Sequence, residues 1–277
     1  MIRTLAAAAL LALAPPPFAQ AQAPVRMTEA EAAQVQQALN RGTLIYYYDQ
    51  AAWHGTDDML AKVPDRSKIG GWVVDGTPDS LEIVFYDKDE ADPHAVYVAQ
   101  FHGAELVSSR VLGPNDDRTL SPSRKAMVAA EHSAAKTLAE SGVSRCVDKP
   151  FNTVILPPET PGAPTLVYFL TPQTSNRRYP FGGHYLIPVA ADGTPGKVRA
   201  FAKSCGELDA GKAGDKSAAL VVSHLLDPTP TEIHVFTMFA AQLPLYVITA
   251  QNQRMWAIEA PDGRAEIRIL DPNKKAD

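Results

Sequence analysis

Cysteine is nearly missing from this chain: only Cys146 and Cys205 occur in 277 residues. Two thiols cannot build the multi-bridge framework of a small secreted scaffold, nor a four-cysteine zinc ribbon. Positive charge is not in excess either, with 26 Lys and Arg against 31 Asp and Glu and a formal net charge of -5. Without a basic stripe the chain lacks the footprint that phosphate backbones require, so nucleic acid is not an expected partner. No run of about twenty apolar residues occurs, and no integral membrane span is expected after processing. The G-x-S-x-G elbow, the GxxxxGK[ST] phosphate loop, the dinucleotide fingerprint and the H-E-x-x-H zinc helix are all absent. The enzyme classes those motifs mark are therefore unsupported, and no cofactor is expected.

What is present begins with an address. Arg3 precedes an apolar run over residues 5–14, a proline break, and Ala19-Gln20-Ala21, a small-x-small site. That succession reads as a signal peptide over residues 1–21, cleaved after Ala21, for a protein of the periplasm or one secreted beyond it. An apolar run of about ten residues is too short to serve as a retained anchor. No cysteine follows the site, which argues against a lipid anchor. Residues 22–277 are long enough to bury a substantial core as a single α+β domain, divisible into sub-lobes 22–145 and 146–277. Hydrophobic residues at 45%, charged residues at 21% and 23 prolines describe a globular, turn-rich chain.

Export gives the two cysteines a meaning, because an even number bound for an oxidising compartment is expected to pair. A Cys146–Cys205 bridge closing about sixty residues would stabilise the fold by roughly 4 kcal/mol on the chain-entropy account. Two separate buried thiols are the other reading.

Thr28 with Glu31 forms a capping box for a helix over residues 29–41, with Gly42 at its stop. A short aromatic strand over 43–48, a polar turn over 49–58 and a brief helix over 57–61 are expected next. Period-two alternation then predicts a meander of strands over 70–75, 80–87, 95–101 and 105–112. A long central helix should start near Ser121, carry Pro122 in its first turn and end before Gly142. The second half reads as strands over 151–156, 165–170, 184–189, 197–203, 220–223, 231–238, 245–250, 255–259 and 265–270, with an exposed loop over 212–216. Strands in runs without regular helix alternation predict an α+β fold, mainly antiparallel, covered by the long central helix and a shorter N-terminal one.

Three places could carry chemistry. His184, His224 and His234 fall in the strand-rich half, where three imidazoles could converge on a divalent metal. With residues 231–238 read as a strand, Glu232 shares a face with His234 and could orient it. Half-buried strand histidines that donate to backbone carbonyls are the plainer account. Cys205, beside Lys203, could act as an activated thiol, although pairing with Cys146 would consume it. Asp49, Trp53, His54, Asp57 and Asp58 bring carboxylates, an imidazole and a large aromatic within ten residues, a mixture suited to ligand binding or acid-base work. The alternative is that Trp53 anchors the turn into the core while the acids favour a helix N-terminus.

Residues 48–57 (YDQAAWHGTD), 181–185 (FGGHY) and 230–236 (PTEIHVF) together resemble segments of uncharacterised exported proteins of Gram-negative bacteria. The resemblance implies an exported protein and carries no activity. The expected function is that of a soluble exported binding or accessory protein of the cell envelope, whose partner is an envelope protein or a small ligand. A periplasmic hydrolase, metal-dependent through the histidines, is the alternative.

Overall fold

The computed structural model describes residues 26–212 and 219–270. The signal-peptide reading over 1–21 lies outside the described residues, as does most of the loop expected over 212–216. The fold is α+β with mostly antiparallel sheets.

Helix α1 runs Glu29–Lys62, 34 residues without a break. Thr28 begins it as expected: its side chain accepts the Glu31 N–H, and Glu31 Oε2 accepts the Thr28 N–H at 2.8 Å. Arg254 also bonds Glu31 at 2.6 Å and ties the helix start to the C-terminal sheet. Here the sequence reading needs correction, because the stop at Gly42, the strand over 43–48 and the polar turn over 49–58 are all helix. Residues 35, 38, 42, 45, 48, 52, 55 and 59 are buried at steps of three or four, so tertiary burial overrides the strand preference of Leu44-Ile45-Tyr46-Tyr47-Tyr48.

Strands β1 (Ile69–Thr77), β2 (Ser80–Asp87), β3 (Ala95–His102) and β4 (Glu105–Val111) form the expected antiparallel meander. Helix α2, Pro122–Glu140, starts after the Ser121 cap. It is the shorter of the two long helices, so the expected lengths are reversed. A second sheet follows in the order β5 (Asn152–Leu156), β6 (Thr165–Leu170), β8 (Tyr185–Val189) and β9 (Arg199–Ala200). A small ribbon pairs β7 (Arg178–Pro180) with β10 (Glu207–Asp209).

The first two sheets are covered on both faces. Ile83, Phe85, Leu166 and Tyr168 pack toward Ile45 and Tyr48 of α1. Their neighbours Val84, Val167 and Phe169 pack toward Met127 and Ala134 of α2. This alternation places one helix on each side of a pleated layer.

The last sheet runs β11 (Leu220–His224), β12 (Leu245–Thr249), β13 (Arg254–Glu259) and β14 (Glu266–Ile269). β11 and β12 are parallel, joined through helix α3, Glu232–Ala241, while the remaining pairs are antiparallel. The strand expected over 231–238 is therefore a helix. Eight of its ten residues are buried, so it has no polar face to reveal a helical period in the sequence. Val235, Met238 and Phe239 pack against Val35 and Ala38 of α1 and Trp256 of β13.

Cys146 and Cys205 are bonded, with their Cα atoms 5.5 Å apart. Among the described residues no helix is long and apolar enough to cross a membrane.

Candidate functional site

The continuation of α1 past Gly42 creates a stripe that the sequence reading did not contain. Tyr46, Asp49, Gln50 and Trp53 recur at helical spacing on a stripe of α1 flanking the core face of Ile45 and Tyr48, and they form one wall of a cleft of about 600 Å³. Pro172, Gln173, Thr174, Ser175 and Asn176, the loop after β6, form the facing wall. Leu170, Thr171, His184, Phe236 and Thr237 lie at its base, and Asn152, Tyr179, Ala240 and Gln242 complete the rim. The volume falls within the range of small-molecule sites.

The loop wall is braced from behind. His184 is buried, its Nδ1 accepts the Thr171 N–H at 3.2 Å, and its Nε2 donates to the Pro180 carbonyl at 3.0 Å. The ring thus clips together the two ends of the segment that carries the wall. Burial pushes its pKa down to about 4, which keeps it neutral. Arg177 donates to the Gly211 and Ala210 carbonyls at 3.0 and 2.6 Å and anchors the far end of the loop. Gly183 takes a φ of +75°, and a side chain there would collide with Cys146 Sγ and Thr171 Oγ1. The glycines of Phe181-Gly182-Gly183-His184 therefore allow the backbone to pass the disulfide, which stands directly behind the His184 clip.

Asp49 borders the cleft, and Asn152 Nδ2 donates to its Oδ1 over a long 3.4 Å. Loss of water around the carboxyl dominates and pushes its pKa up to about 6, only partly opposed by Asn152. Trp53 stands at the rim, 59% exposed, with His54 stacked on it at 4.9 Å between ring centroids. The alternative in which Trp53 anchors a turn into the core is thereby overturned. Tyr46 is stacked on Phe239 of α3 at 5.1 Å. Gln50, Asn176 and Gln242 make no side-chain hydrogen bond among the described residues. No Lys, Arg or Glu borders the cleft among the described residues.

The other candidates do not join this site. His224 and His234 meet edge to face at 4.7 Å, but His224 Nε2 lies 2.9 Å from Asp227 Oδ2, and His234 Nδ1 accepts the Thr231 N–H at 2.9 Å. Burial, together with the neighbouring His224, pushes the His234 pKa down to about 3. Burial opposes ionisation of Asp227, but the His224 hydrogen bond and the Arg199 charge hold its carboxyl below the usual range. The space beside this pair, about 60 Å³, has room for a few waters and not for an organic ligand.

Glu232 and His234 lie on the first turn of α3 rather than on a strand face. Glu232 is bonded by the Tyr168 hydroxyl at 2.9 Å and does not orient His234. The three-histidine metal centre is thus not assembled: His184 has both ring nitrogens occupied, and the other two serve a loop and a helix start. Among the described residues no group of three or more His, Cys, Asp and Glu side chains is arranged to hold a metal ion. Cys205 is bonded to Cys146 and is no nucleophile.

The structure therefore brings together Asp49, Trp53 and His184 from the sequence candidates and sets His224, His234 and Glu232 apart. Sequence reasoning missed Gln50, Asn152, Asn176 and Gln242. The one available signal was the spacing of 46, 49, 50 and 53, which is legible only once residues 43–58 are known to be helical. Comparison with family models, curated proteins and solved structures finds no match to this chain.

Proposed function

We propose that this chain is an exported protein of the cell envelope that binds a small ligand in the cleft between α1, the 172–176 loop and the end of α3. Export is supported by the charged, apolar and small-residue succession of residues 1–21 and by the Cys146–Cys205 bridge, a bond that persists in oxidising compartments. The observation that carries the binding reading is the contrast between two sets of polar groups. The histidines are consumed by local hydrogen bonds, whereas the amides of Gln50, Asn176 and Gln242 are uncommitted around about 600 Å³ of space.

The test uses intrinsic fluorescence, because of the three tryptophans only Trp53 is exposed, Trp72 being half-buried and Trp256 fully buried. Titrating small-molecule pools into the purified oxidised protein should change the emission, and Trp53→Phe should remove most of that change. A response that persists unaltered in Trp53→Phe would place binding elsewhere and defeat the reading.

One observation favours a second reading. A carboxyl titrating at about 6 inside a cleft has the acidity of a general acid or base near neutral pH, so Asp49 could serve a hydrolase that uses no histidine. Mass spectrometry of a bound compound would show addition of water that Asp49→Asn abolishes; under the binding reading the compound is recovered intact.

A further inference from the structure

From the chemistry of the cleft wall we infer that its ligand is a carbohydrate, a neutral ring compound rich in hydroxyl groups. This inference rests on the binding reading above and specifies its ligand class. Charge decides the first step. No Lys or Arg borders the cleft among the described residues, and its one carboxylate is Asp49. Phosphorylated and carboxylated ligands would enter without a counter-charge, at a desolvation cost that nothing offsets. A cationic ligand is less well matched, because Asp49 is a single acid, already contacted by Asn152, among a majority of neutral amides and hydroxyls.

The remaining polar groups are amides and hydroxyls. Gln50, Asn176 and Gln242 each present a donor and an acceptor on one planar group and spend neither within the described residues. A pair of adjacent sugar hydroxyls, each both donor and acceptor, matches such a group from either end. Asn152 on the rim and Asp49 on the wall continue the same pattern. A purely apolar ligand would leave any amide it covers, the half-buried Gln50 above all, without a partner on losing water.

The aromatic component completes the match. Trp53 is 59% exposed at the rim, and His54 lies nearly parallel to it, 15° between ring planes. One face of the indole is thus supported from behind while the residue keeps most of its surface open. A flat apolar plate beside amides suits a sugar ring, which has an apolar C–H face and a polar edge. Cleavage of a glycosidic bond ordinarily needs two carboxyl groups flanking it, and the described cleft offers one. Sugar retention, without hydrolysis, is the expected outcome.

The experiment is calorimetric titration of the full-length oxidised protein with glucose, N-acetylglucosamine, maltotriose and chitotriose, beside glucose 6-phosphate, choline and spermidine. The expected result is binding of at least one neutral saccharide, with affinity at least about tenfold above that for its phosphorylated counterpart. Trp53→Ala and Gln50→Ala should each weaken that binding about tenfold while leaving the thermal midpoint in place, since both side chains are at least partly exposed. Binding of choline, spermidine or the sugar phosphate that depends on Trp53, with no neutral saccharide bound, would overturn the carbohydrate assignment and leave the cleft as a ligand site. Failure of every probe to bind would overturn both. Saccharide binding indifferent to Trp53→Ala and Gln50→Ala would also defeat the inference, because it would locate the sugar outside this cleft.

Discussion

Gly42 of α1 lies against Val235 of α3: a Cβ built on Gly42 would stand 2.5 Å from Val235 Cβ and 2.6 Å from the Glu232 carbonyl oxygen. The residue that reads in sequence as a helix stop is a point of backbone contact between two helices. Gly42→Ala gains up to about 1 kcal/mol of helix propensity. It must also displace a β-branched side chain and a main-chain carbonyl, at a cost of about 1–3 kcal/mol. A lower urea midpoint is expected for the variant. A raised midpoint would mean that α3 can shift freely and that the contact is loose.

Replacing Cys146 and Cys205 together by Ala should lower stability by roughly 4 kcal/mol on the entropic account, for a sequence separation of 59. The bridge stands beside Gly183 and Thr171, behind the His184 clip. Amide exchange should therefore accelerate over residues 171–184 more than in the 69–111 meander. Uniform acceleration would count against a local role for the bridge.

Acid sensitivity follows from two buried imidazoles and one carboxyl bordering the cleft. His184 and His234 have folded pKa values of about 4 and about 3, below their ordinary 6.5. The stability they contribute is complete above 6.5 and is lost as pH falls, because the unfolded chain takes up protons that the folded one refuses. Asp49, raised from 3.8 to about 6, works in reverse and contributes stability that is lost as pH rises through about 6. Between 6 and 4 two imidazoles oppose one carboxyl, so the net effect of acidification is destabilising. Urea midpoints should fall from about pH 7 to about pH 4.5, and His184→Gln should be weaker at pH 7 with a shallower fall. An equally steep fall in that variant would remove His184 from the account.

Tyr168→Phe deletes the hydroxyl that donates to Glu232 Oε1 at 2.9 Å, in a region where both residues are buried. Burial and the Glu232 charge hold the phenol well above its ordinary pKa, so it remains a donor throughout the working range. Leaving a buried carboxylate short of a partner should cost about 1–3 kcal/mol by chemical denaturation. A change within experimental error would show that water replaces the phenol.

The meander and α2 were legible because their signals are local. Leu81, Ile83 and Phe85 share one face of a strand at period two, with Glu82, Val84 and Tyr86 on the other, and Ser121-Pro122 starts a helix by its own chemistry. The errors at 43–58 and 231–238 have a different origin. Leu44-Ile45-Tyr46-Tyr47-Tyr48 and Ile233-His234-Val235-Phe236 carry β-branched and aromatic residues, and packing against distant elements, including the contact of α1 with α3, makes them helical. Asp49 and Trp53 were identifiable as unusual side chains in one short stretch. Gln50, Asn176 and Gln242 were not, since an isolated amide carries no spacing signal until the fold places it beside others. His184, His224 and His234 drew attention by residue type; local hydrogen bonds occupy all three, and of them His184 alone borders the cleft.

The two sides of α1 have opposite duties. Tyr46, Asp49, Gln50 and Trp53 look into the cleft, while Ile45, Tyr48, Ala51 and Ala52 are fixed among Phe85, Phe101, Val154 and Tyr168. The cleft wall cannot swing without unseating that packing. The aperture is a die and not a jaw: its shape is cast when the chain folds, and a guest is sorted by fit at the moment of arrival. Association should then proceed without a slow closing phase, and a loosened variant would lose discrimination between guests before it lost the capacity to hold them.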